Sequence, residues 1–172
     1  MRTQEEYYPI IAYMQNKFDI TAFSKDQFLS MDSAVIDASS IIYCIQAGFF
    51  WTLGTACRLF STPEVIGETK WKDLPVNQES PILKKTGNND DTLLALAAEK
   101  KLPLVSEDRK LLLKAEEQHR PFYNSLMMLI WLEAKQKISE DDYREHLAHL
   151  KEYARYSLEI WNYGEKVRGI IL

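Results

Sequence analysis

The 172-residue chain has few of the residues from which metal fingers and disulfide scaffolds are built. It contains two cysteines and three histidines. Cys44 and Cys57 both lie in apolar stretches. They read as small buried hydrophobes in a protein kept reduced, not as a disulfide framework. His146 and His149 stand three apart in "EHLAHL", and His119 follows in neither an HExxH pattern nor any other zinc spacing. They read as helix-surface, packing and helix-end residues. Positive charge is not in excess: Lys and Arg number 21 against 25 Asp and Glu, for a net charge of −4. That balance gives no support to non-specific duplex binding. No window approaches the roughly 18 consecutive apolar residues of a membrane span. The opening "MRTQEEYYPIIAYMQ" lacks the basic segment and apolar run of a signal peptide. No internal repeat is evident. A soluble, cytoplasmic protein without membrane contact is the expectation.

What is present suits one good core, since 46% of residues are hydrophobic and 12% aromatic. Residues 3–16 are expected to form a short amphipathic helix, and Ser24 to Gln27 has capping-box spacing for another. "AVIDASS" (34–40) is a brief β-prone run ending at Asp37. From Ser39 or Ser40, "SSIIYCIQAGFFWTLGTACRLF" is apolar nearly all round, a buried helix broken near Gly48 or Gly54. "RLFS" (58–61) reads as a second strand, and Thr62-Pro63 starts a helix carrying Glu64, Glu68 and Trp71. A loop with Pro75, Pro81 and "KKTGNN" (84–89) follows. Asn88 or Asn89 then caps "DDTLLALAAEKK", acidic at its start and basic at its end. "LPLVS" is a continuous apolar strand of the kind covered on both faces. After a further helix, "RPFYN" reads as a last strand. Ser125 and Ser139 are expected to cap two C-terminal helices, the second long and aromatic.

Strands alternating with helices predict an α/β fold, three-layer α/β/α with a central, mainly parallel sheet. Residues 33–125 would form the core, 1–32 an N-terminal helical extension and 126–172 a C-terminal helical pair packed on it. Ligands of such sheets bind beyond the carboxyl ends of the strands. Asp37 and Asp108 both fall at such ends. Glu68 and the Asp90/Asp91 pair lie on early helical turns. Singly, most of these acids are helix-start or surface residues. Asp37 is different: a carboxylate between "AVI" and an apolar helix must be paired, hydrogen-bonded or metal-bound. Converging carboxylates repel, and a divalent cation reverses that penalty. Hard oxygen ligands select magnesium or manganese.

In order and local context these acids resemble the PIN domain family of metal-dependent nucleases. "VIDASSII" is similar to the family's first strand, with its Asp and following small hydroxylated residue. "TPEVIGE" is similar to its Thr-Pro helix start, with the acid at Glu68. "DDTLLALAAEKKLPLVSED" is similar to its tandem third and fourth motifs, with Asp90 or Asp91 as the third acid and Asp108 as the fourth. The match covers about residues 33–125, and "SLMMLIWLEAKQKISEDDYREHL" is similar to the tail of some stand-alone prokaryotic members.

The resemblance implies a ribonuclease that leaves 5′-phosphate and 3′-hydroxyl ends. Asp37, Glu68, Asp90 and Asp108, with Asp91 beside them, would hold Mg2+ or Mn2+. Ser39, Ser40 and Ser106 would orient the carboxylates by hydrogen bonds. Lys84, Lys85, Arg109 and Lys110 are candidate phosphate contacts, and Phe49, Phe50 and Trp51 candidate stacking rings with a core role as the plainer alternative. Glu107 falls to a helix-start role or a peripheral water-mediated contact. Implied partners are single-stranded RNA, an antitoxin protein if the chain is the toxin of a toxin–antitoxin pair, and a second copy in a homodimer. Three alternatives stay open: a housekeeping RNA-processing nuclease, an inactive PIN-like interaction scaffold, and a haloacid-dehalogenase-type phosphatase. The last needs a second Asp two residues after the first, where this chain has Ser39.

Overall fold

Five short parallel strands form the centre of the computed structural model, which describes residues 23–83 and 87–172. After helix α1 (Lys25–Ser30) come strand β1 (Ser33–Ile36), helix α2 (Ala38–Ala47), helix α3 (Phe50–Ala56), strand β2 (Arg58–Ser61) and helix α4 (Pro63–Thr69). Strand β3 (Asn77–Gln78), helix α5 (Asn89–Lys100), strand β4 (Leu104–Val105), helix α6 (Arg109–Glu117) and strand β5 (Phe122–Tyr123) complete the alternating part. Three helices close the chain: α7 (Ser125–Ala134), α8 (Glu140–Tyr153) and α9 (Leu158–Ile171).

The strand order is β3-β2-β1-β4-β5, with every neighbouring pair parallel. Side chains alternate across the sheet and sort the core into two layers. Ile36, Leu59, Val105 and Tyr123 join one cluster with α1, α2, α3 and α7 to α9. Val35, Phe60, Leu104 and Phe122 join the other, with α5 and α6. The fold is therefore a three-layer α/β/α sandwich, as the alternation of elements predicts. The C-terminal helices belong to the first cluster through residues such as Trp131, Leu150 and Val167.

Local chemistry accounts for most boundaries. The apolar stretch after Asp37 breaks at Gly48, a left-handed C-cap at φ 89°. Gly54 stays inside α3 because a Cβ there would stand 2.5 Å from the Pro75 ring. Ser24, Thr62, Asn88 and Ser139 each cap a helix through the side chain, Ser139 with a full capping box.

Several expectations need correction. The cap of α7 is Asn124, whose side chain accepts from Met127 N; Ser125 is the first helical residue. The loop before "KKTGNN" contains β3, too short and too exposed to leave a hydrophobic signature. The C-terminal pair is three helices, because the long aromatic segment stops at Tyr153 and restarts behind a Ser157 cap. The helix expected over 3–16, and Lys84 and Lys85, lie outside the described residues. Among the described residues, no helix is long and apolar enough to cross a membrane.

Candidate active site

The chain runs outward from β1 through β2 to β3, then returns to place β4 on the other side of β1. The carboxyl ends of β1 and β4 are thus the point where a parallel sheet opens a crevice. Register brings the ends together: Ile36 pairs with Val105, and the Asp37 amide donates to Val105 O at 2.9 Å.

Asp37 is 6% exposed and caps α2. Its Oδ1 accepts from the Ala38 amide at 2.8 Å. Its Oδ2 accepts from the hydroxyls of Ser39 at 3.1 Å and Ser106 at 3.0 Å. Burial pushes the carboxyl above its ordinary value; the Ser106, Ala38 and Ser39 hydrogen bonds oppose this, and the charge of Asp90 adds to it.

Ser106, fully buried, is a hinge between two acids, since its Oγ also accepts from the Asp108 amide at 2.9 Å. Asp108 caps α6, one oxygen accepting from Lys110 N at 2.8 Å and Leu111 N at 3.4 Å. Asp90 is raised first by burial, then by the charges of Asp108 and Glu68. Glu68 is on the last turn of α4, not an early one, because the helix ends at Thr69; exposed there, it accepts from the Asn89 side-chain amide, which ties α4 to the start of α5. Asp37, Glu68, Asp90 and Asp108 therefore share one electrostatic neighbourhood. Asp91 is engaged differently: it makes a 2.7 Å ion pair with Lys114.

The supporting serines divide. Ser39 and Ser106 bond Asp37, whereas Ser40 donates to Glu107 Oε1 at 2.7 Å and does not support a site acid. Glu107 is the residue sequence reasoning misjudged. It is no peripheral contact: its Oε1 also accepts from the Ser125 amide at 2.8 Å and the Ser125 hydroxyl, and its Oε2 from the Tyr156 hydroxyl. Its amide donates to Ser39 Oγ at 3.2 Å. Nothing in "SED" separates a braced Glu from a helix-start Glu, because the partners lie in α2, α7 and the α8–α9 link.

Among the other candidates, Phe49 and Phe50 are fully buried core residues, and Trp51 is half-exposed against Trp71. His146 Nδ1 lies 3.0 Å from Ala47 O at the end of α2, and His149 is on the surface. Arg109 and Lys110 are exposed at the start of α6.

The donor set is all carboxylate, which suits a hard divalent cation in type and charge. Its spacing is looser than a ligand shell: among the described residues, no three His, Cys, Asp or Glu side chains gather closely enough to hold an ion. Magnesium, which retains several of its waters, tolerates such spacing through water-mediated contacts. Compared with models of known families and with characterised proteins, the chain matches none.

Proposed function

We propose that this chain is a divalent-metal-dependent nuclease on a PIN-like plan, cleaving single-stranded RNA in a reducing cytoplasm. One observation carries the proposal. Asp37 and Asp108 leave the adjacent ends of β1 and β4 and share the Ser106 hydroxyl, and Asp90, which feels the charges of Asp108 and Glu68, adds to the charge around the buried Asp37.

Asp37, Glu68, Asp90 and Asp108 would hold Mg2+ or Mn2+. A bound cation supplies Lewis acidity towards water and neutralises charge on the phosphate. Ser39 and Ser106 keep the Asp37 carboxylate oriented. Arg109 and Lys110 offer cations to the flanking phosphates. In the hydrolysis, water adds at phosphorus and the 3′-oxygen leaves with the bonding pair, giving 5′-phosphate and 3′-hydroxyl ends.

The test is cleavage of single-stranded RNA by the purified chain with manganese or magnesium, stopped by EDTA. Asp37→Asn and Asp108→Asn should each abolish cleavage while circular dichroism stays unchanged. Undiminished cleavage by either variant removes that acid from the site. A second reading, an interaction scaffold that binds no metal, is favoured by the absence of a closely gathered ligand set among the described residues. No thermal shift and no binding heat with millimolar manganese would select it. If cleavage is found, growth arrest on expression, relieved by Asp37→Asn, separates a toxin from a housekeeping nuclease.

A further inference from the structure

Beside the acids, towards β5, lies a cavity of about 560 Å3 whose wall includes Ser106 and Glu107. It is a separate space from the crevice acids, yet Ser106 belongs to both. Two features fix its chemistry. Tyr43, Tyr123 and Tyr156 line it. Arg109 and Arg155, both exposed, also line it. Neither arginine forms an ion pair among the described residues.

The position of Arg155 follows from the break between α8 and α9. Tyr156, its neighbour, is anchored by its hydroxyl to Glu107 and packs edge-on against Tyr43 with ring centroids 6.1 Å apart. The break therefore puts Arg155 on the wall of the cavity that Arg109, next to Asp108, also lines. Two guanidiniums without carboxylate partners, over an aromatic-walled space, complement a phosphate joined to a flat ring. The volume lies within the range of small-ligand pockets. The wall carries two carboxyls: both Glu107 oxygens are already taken by Ser40, Ser125 and Tyr156, and burial pushes Glu116 towards its neutral form.

We infer that this cavity is a nucleotide subsite, taking the base of a nucleotide next to the scissile phosphate, with Arg109 and Arg155 on that nucleotide's phosphate. The inference rests on the nuclease reading for the direction of the strand, but binding can be measured without cleavage. The experiment is calorimetry of the full chain in EDTA with adenosine 5′-monophosphate and with a single-stranded RNA tetranucleotide. The expected result is saturable binding of one equivalent, weakened as salt rises. The double variant Arg109→Ala/Arg155→Ala should weaken it at least tenfold. Ile160→Trp, which adds bulk to the cavity wall, should weaken it while sparing both arginines. No saturable binding, or binding indifferent to both the arginine pair and Ile160→Trp, overturns the subsite and leaves the nuclease reading standing if cleavage is seen. Binding with the expected variant pattern but no cleavage under any metal supports the subsite and removes the nuclease reading.

Discussion

Glu107 and Asp108 are adjacent in the chain, and both leave the end of β4, yet their surroundings differ in kind. Glu107 is met by donors: two serine hydroxyls, one backbone amide and one tyrosine hydroxyl. Asp108 gives one oxygen to the start of α6, and its charge adds to the repulsion felt by Asp90. The first carboxylate is spent on architecture, joining α2, α7 and the α8–α9 link to the sheet. The second stands among like charges, with the Lys114 ammonium as their nearby counter-charge. A stabilising carboxylate and a candidate chemical one can thus be told apart by their partners, although the sequence writes them side by side.

The largest stability effect expected from that contrast is at Glu107. Glu107→Ala strips an acceptor from Ser40, Ser125 and Tyr156 at once. Orphaned buried donors cost roughly 1–3 kcal/mol each when nothing replaces the acceptor; Ser40 and Ser125 are fully buried and Tyr156 half-buried. A loss of about 2–4 kcal/mol in urea denaturation is expected, with Glu107→Gln recovering much of it. A loss under about 1 kcal/mol would mean that water takes over the carboxylate's role and that the brace is not a brace.

Asp37→Asn should do the opposite. The Asp37 carboxyl is raised above its ordinary value of 3.8, chiefly by burial. The folded state therefore binds this proton more tightly than the unfolded state. Its favourable contribution is fully present below the unfolded pKa and is lost as pH rises through the folded one. At neutral pH the wild-type chain carries a buried, repelled charge that asparagine lacks. The variant's melting temperature should equal or exceed that of wild type at pH 7, the difference shrinking as pH falls towards 4. Manganese should raise the wild-type melting temperature more than the variant's. A large loss of stability in metal-free Asp37→Asn would place Asp37 with Glu107, as a structural acid.

The fold was legible because its signals are local. The short β-prone runs "AVI" and "RLFS", the Thr62-Pro63 start, the Asn88 cap and the Gly48 break all act within a few residues. The acids at strand ends were legible for the same reason, since a strand end fixes where the next side chain emerges. What escaped is long-range. β3 is two exposed residues held by pairing with β2. The stop at Tyr153 is set by Tyr156 reaching a carboxylate 49 residues away, not by a breaker in the sequence. The division of Ser39 and Ser40 between Asp37 and Glu107 depends on which way one turn of α2 faces.

The smallest stability effect expected is the one that separates Asp90 from Asp91, which the sequence leaves interchangeable. Asp91 is half-exposed and paired with Lys114, a pair of the surface kind worth about 1 kcal/mol or less. Asp91→Asn frees Lys114, whose charge already lowers the pKa of Asp90, to turn towards it. The lost pair and the new attraction offset each other, so denaturation midpoints should barely move. Cleavage should fall only modestly, because a nearby ammonium competes with a cation for Asp90. Asp90→Asn removes instead the acid that feels Asp108, Glu68 and Asp37 together, and should abolish cleavage without loss of stability. Equal loss of cleavage in both variants would break the contrast and make the two acids a joint ligand, with Lys114 the residue that gives way.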